Sequence, residues 1–99
     1  MLTQEGILEQ LSHRAQELKQ NFPVRSIGLF GSLARNKADR ESDVDILIDF
    51  AEPTFDHYMD LKFYLERLFG RQVDMVTADT VKPRLNEVIK REVIYAKGL

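Results

Sequence analysis

Asp43 and Asp45 stand two residues apart at the head of an apolar, alternating segment. Alternate residues of an extended strand leave the same face, with Cα atoms about 6–7 Å apart. Two carboxylates converging from that spacing repel one another, and a divalent cation is the natural neutraliser. Oxygen-only ligation suits Mg²⁺ or Mn²⁺, with substrate phosphates and water completing the shell. Taken alone, an Asp-x-Asp pair describes a solvated strand start at least as well. Asp49 shares the face but lies ~13 Å farther along, too far to join the same centre.

Two further features change the balance. Gly31-Ser32 closes the preceding apolar segment, with ten residues between it and Asp43. Glycine lets the chain turn sharply and approach a ligand closely. Ser32 adds a hydroxyl, and backbone N–H groups opening a short helix can face a phosphate. The other feature is Asp74 in Val73-Asp74-Met75-Val76. Val73 and Met75 share one face of a strand, which turns Asp74 to the other side with Val76. Beside the Asp43–Asp45 strand it would join their cluster, as a metal ligand or as the general base for an acceptor hydroxyl. At a sheet edge it would simply face water.

The elements that must position these residues follow from periodicity. Ile7, Leu8, Leu11, Ala15 and Leu18 recur at helical spacing. They predict one amphipathic helix of about four or five turns, capped by Thr3 and ending near Asn21. Val24–Phe30, Val44–Phe50 and Gln72–Thr77 read as strands. Ser32 to Arg40 has room for a short helix. Tyr58, Leu61, Leu65 and Leu68 predict a helix after Glu52-Pro53-Thr54, ended by Gly70. Pro83 suits the first turn of a last helix carrying Leu85, Val88, Ile89 and Val93 inward. The alternation predicts an α/β protein, a single domain over residues 1–99 with a small three-stranded sheet covered by helices.

Composition narrows the function classes. With 43% hydrophobic and 30% charged residues the chain is globular, not disordered. A net charge of -2 argues against an extended nucleic-acid surface or an anionic-membrane partner. The absence of cysteine excludes disulfides and thiolate metal sites. No apolar run approaches the ~20 residues that span a bilayer, and the start lacks signal-peptide features, so a cytoplasmic location is expected. His13 and His57 read as surface residues, as do the charges of Lys37 and Arg40. Tyr58, Phe63, Tyr64 and Phe69 read as core and rim packing. With Val93, Ile94 and Tyr95 they also give an apolar surface that a partner could cover.

Gly31-Ser32, ten residues, Asp43-Val44-Asp45 and the later strand Asp74 together resemble the DNA polymerase β-type nucleotidyltransferase superfamily. Gly-Ser-Leu-Ala-Arg, Ser-Asp-Val-Asp-Ile-Leu-Ile-Asp-Phe and Gln-Val-Asp-Met-Val-Thr are similar to its minimal nucleotidyltransferase branch. The similarity covers roughly residues 24–95 and implies the nucleotidyltransferase fold with a mixed sheet. It implies that Asp43, Asp45 and Asp74 hold Mg²⁺, two ions in the superfamily's arrangement, for in-line attack on the α-phosphorus of ATP. Gly31 and Ser32 would hold the phosphates, and Arg35, which matches an arginine of this branch, would brace them. The branch further implies an antitoxin setting, in which AMP passes from ATP to a tyrosine of a partner HEPN-domain ribonuclease toxin. No Arg precedes His13 or His57 at the spacing of a HEPN nuclease motif, which places this chain on the transferase side. Two alternatives stand beside this one: neutralisation of a toxin by occlusion alone, and transfer to RNA or a small molecule. Homo- or hetero-oligomerisation is left open.

Overall fold

Residues 2–37, 43–79 and 83–99 are described by a computed structural model, the side chains of residues 83–85 excepted. The two segments richest in branched aliphatic residues pair as antiparallel strands β1 (Val24–Phe30) and β2 (Val44–Phe50). Val44, Ile46, Ile48 and Phe50 alternate into the core, where Leu61 and Leu65 meet them from one helix and Ile7 and Leu11 from another. Ile46 and Ile48 are fully buried, as the alternation requires.

Residues 4–21 form two helices where the spacing predicts one: α1 (Gln4–His13) and α2 (Ala15–Asn21). Arg14 breaks them with φ -105° and ψ 14°, and its N–H donates to the Leu11 carbonyl in a tightened last turn. The inward stripe survives the break, with Ile7, Leu11, Ala15 and Leu18 all buried. Thr3 caps α1, its hydroxyl accepting from the Gly6 N–H at 3.0 Å. The short helix after β1 is α3 (Gly31–Ala34); residues 38–42 of the expected span lie outside the described residues.

Helix α4 (Phe55–Phe69) starts at Thr54, whose hydroxyl accepts from the His57 N–H, and ends at Gly70 with φ +64°. It crosses over from β2 to β3 (Val73–Thr77), so these two strands run parallel. Helix α5 (Pro83–Glu92) buries Ile89 but leaves Val88 52% exposed, which corrects the inward placement of Val88; the Leu85 side chain lies outside the described residues. Val93 falls just past the end of the helix rather than within it.

The sheet has four strands, not three. Ile94–Tyr95 forms a short β4 antiparallel to β1, giving the order β3-β2-β1-β4 and a mixed sheet. The Ala96 N–H extends the pairing by donating to the Ile27 carbonyl at 2.9 Å. A Cβ at Gly28 would run into the Val93 and Tyr95 side chains, so the bare backbone of β1 is what lets the last segment approach. Among the described residues no helix is long and apolar enough to cross a membrane.

Ile46→Ala, a cavity in the fully buried layer, should cost about 2–5 kcal/mol in urea unfolding. Val88→Ala on the exposed side of α5 should stay within about 0.5 kcal/mol.

Candidate active site

The parallel register of β2 and β3 matches Val44 with Val73, Asp45 with Asp74 and Ile46 with Met75. Laddered partners share a face and lie about 4.8 Å apart across the sheet. Asp45 and Asp74 therefore stand side by side on the face opposite the buried Ile46 and Met75. Asp43 immediately precedes β2 and is exposed. The start of this strand pair is pinned twice: the Val44 N–H donates to the Gln72 carbonyl at 3.0 Å, and the Val73 N–H donates to Glu66 at 3.1 Å. Glu66 belongs to α4, so the helix that crosses between the strands also fixes the residue preceding Asp74.

Gly31 borders the same group from β1. Its neighbour Phe30 pairs with Asp45, and its own backbone has φ +78°. A Cβ there would collide with the Asp45 carboxylate. Glycine is thus required twice, for a left-handed turn and for clearance of the acid. Ser32 is half-buried within α3, one residue from the acid-facing turn.

Burial, then the neighbouring Asp74 and Asp43, push the Asp45 carboxyl up to about 6, against the pull of Arg35; Glu92 adds to the push. The acids are short of positive charge. An open cavity of about 230 Å³ is lined by Asp43, Lys62, Glu66, Gln72, Val73 and Asp74. Among the described residues no three His, Cys, Asp or Glu side chains converge into a ready-made cation cage. This donor set fits Mg²⁺, which is usually held by one or two carboxylates plus substrate phosphates and water rather than by an all-protein cage.

Arg35 ends α3 and is half exposed, its Nη1 donating to Glu92 at 2.7 Å. Glu92 also accepts from the Gly31 N–H at 3.0 Å. The only amide proton of Gly31 is thereby engaged, so what Gly31 offers a ligand is shape and not a donor. Glu66 and Glu92 escape a reading of motifs, because each looks like an ordinary charge on an amphipathic helix. Lys37 is exposed, and Arg40 lies outside the described residues. Asp49 sits apart from the acids in an ion pair with Arg25 at 3.6 Å. His57 is held at the start of α4, its Nδ1 2.7 Å from the Glu52 carbonyl, and His13 is exposed.

A mixed sheet with a Gly-Ser turn opposite paired strand carboxylates is the arrangement of a nucleotidyltransferase, and the chain belongs to the nucleotidyltransferase domain family, whose model matches residues 11–96. Within it, the chain is a homologue of the protein adenylyltransferase MntA of Thermococcus cleftensis. The two are 44% identical over 96 residues, 96% of this chain and 97% of that protein. A solved structure assigned to a minimal nucleotidyltransferase superposes with a TM-score of 0.78 at 34% identity, covering 94% of this chain and 95% of its own. A chain from the solved complex of tri-AMPylated Shewanella oneidensis HEPN toxin with MNT antitoxin shares the fold, with a TM-score of 0.65. It is 18% identical, covering 93% of this chain and 73% of its own.

Two outcomes follow from this geometry. Gly31→Ala should destabilise the protein by at least about 1–2 kcal/mol, because side chains resist the left-handed region even before the collision with Asp45. Asp45→Asn should do the opposite in chelator at pH 7. With a folded value near 6 against 3.8 unfolded, ionised Asp45 favours the unfolded chain, and its stabilising share fades as pH rises through about 6. A shift of that size is about 3 kcal/mol in a dry site; the solvent-open side reduces it to on the order of 1 kcal/mol. Thermal melting should show a gain of about 4–8 °C at pH 7 that shrinks toward pH 4.

Proposed function

We propose that the chain, acting as a single domain over residues 1–99, is a Mg²⁺-dependent adenylyltransferase that moves AMP from ATP to a hydroxyl of a partner protein. The observation that carries this reading is the matched pair Asp45–Asp74, left short of positive charge beside a turn that only glycine can make. Asp43, Asp45 and Asp74 are the residues that would hold the cation. Bound there, Mg²⁺ would neutralise the acids and the triphosphate together and offset charge developing on the attacking and leaving oxygens.

The chain's own groups supply the rest. Ser32 binds the phosphates with its hydroxyl and the backbone that follows it, while Gly31 leaves room for them to approach. Arg35 braces the triphosphate with the guanidinium donors that Glu92 does not use. The acceptor oxygen attacks the α-phosphorus, the bond to the bridging oxygen breaks, and pyrophosphate leaves. Asp74 takes the proton of the acceptor hydroxyl, a role favoured by its exposure to the cavity shared with Asp43 and Lys62.

The acceptor we infer is a tyrosine of a HEPN-domain toxin, with this chain as its cytoplasmic antitoxin. The name of the Thermococcus relative, a protein adenylyltransferase, supports a protein acceptor. The shared fold with a chain from a complex holding an AMPylated HEPN toxin supports the partner class. Transfer to a long nucleic acid is disfavoured by the net charge of -2.

Incubation with labelled ATP, Mg²⁺ and a HEPN-domain partner protein should label that protein, and chelation should abolish labelling. Asp43→Asn and Asp45→Asn should lose transfer while remaining folded. Asp74→Asn, which leaves Asp43 and Asp45 to hold the cation, should still show Mg²⁺-dependent ATP binding but transfer at least about 10²-fold more slowly. Undiminished labelling by the Asp43 and Asp45 variants would falsify the metal role. Toxin neutralisation by those unlabelled variants would instead favour occlusion.

A further inference from the structure

Glu92 is the last residue of α5, and the chain that follows it is tied down. The Val93 N–H donates back to the Ile89 carbonyl at 2.8 Å, and the next two residues pair with β1. Its side chain is only 17% exposed, whereas that of Arg35 is 49% exposed. Its two oxygens serve two different donors, Oε1 the Gly31 N–H at 3.0 Å and Oε2 the Arg35 Nη1 at 2.7 Å. The fixed member of this trio is the glutamate, and the member free to wander without it is the arginine.

From this we infer that Glu92 is a positioning residue for nucleotide binding, holding the Arg35 guanidinium and the Gly31 turn in one frame before ATP arrives. The inference rests on the reading of the site as an adenylyltransferase and names a part of it that no motif marks. A long side chain pre-held by a carboxylate loses less freedom when it meets a phosphate. Arginine has five N–H donors, so one bond to Glu92 leaves the remaining edge available. A carboxylate that merely occupied the phosphate position would have to swing away on binding. Glu92 has little room to do so, and moving it would strip the Gly31 amide of its acceptor.

Glu92→Gln separates the two possibilities. The Gln carbonyl can still accept from Gly31, but its amide cannot accept from Arg35. The KM for ATP should rise about tenfold with kcat within about twofold of wild type. The Glu92→Gln, Arg35→Gln double variant should bind ATP no more weakly than Arg35→Gln alone, because the glutamate acts through the arginine. Amide exchange of Gly31, read by NMR without turnover, should be slow in wild type and Glu92→Gln and fast in Glu92→Ala. If Glu92→Gln does not fold, Arg35→Lys tests the link from the exposed side: an ammonium lacks the planar fork that holds glutamate on one edge and presents the other to phosphate, and KM should rise similarly. A lowered KM, an unchanged KM, fully additive effects, or fast Gly31 exchange in wild type would each overturn the proposal. Absence of AMP transfer by the wild-type protein fails the adenylyltransferase reading; wild-type transfer with an unmoved KM in Glu92→Gln fails this one alone.

Discussion

Parallel pairing of β2 with β3 sets Asp45 beside Asp74, and Coulomb repulsion between neighbouring carboxylates opposes that arrangement. It survives because the opposite faces of the same residues' neighbours are committed elsewhere. Ile46, Met75, Val44 and Val73 fix the register by burying their side chains, and a slip of one residue would turn that apolar set to solvent. Core packing thus holds together what electrostatics would separate. The raised Asp45 carboxyl records the tension. Such tension is useful in a site that must attract a cation with its phosphate cargo, and costly in one that merely needs to fold.

The same residues explain how much could be read in advance. Alternation located β2, and a partly alternating run closed by Gly31 located β1, both with their observed bounds. The Gly-Ser turn and all three acids were visible as types at a spacing, and their resemblance to a known family supplied roles that spacing alone left open. What was hidden is nonlocal or too short. A two-residue strand has no period, so Ile94–Tyr95 looked like loose apolar surface. Arg14 carries no breaker's signature, and the stripe of Ile7 to Leu18 runs across it unbroken. Glu92 finds Gly31 across 61 residues of chain, a pairing that no local pattern encodes. The mid-strand Gly28 was the nearest thing to a clue, since an open position in β1 signals that another segment comes close.

The candidate site is concentrated at the beginnings of strands and the ends of helices. Asp45 and Asp74 are the second residues of β2 and β3, α3 begins at the turn that clears one of them, and α5 ends on the carboxylate that ties the turn down. Family membership and the likeness to a protein adenylyltransferase fit a small frame that brings four elements to one edge. The exposed aromatic side chains of Phe55 and Phe63 on α4 leave apolar area outside that edge.

The closing of β4 onto β1 also orders events in time. β1 and β2 are neighbours in sequence and can zip early, and β3 joins through a single helical crossover. β4 joins later, because its partner strand lies far upstream and closing so long a loop is slow. Local pairing therefore favours bringing Asp45 and Asp74 together before Glu92 meets Arg35. A chain in which β4 has yet to close keeps three strands of the sheet paired while the Glu92 contact to Arg35 and Gly31 is still missing.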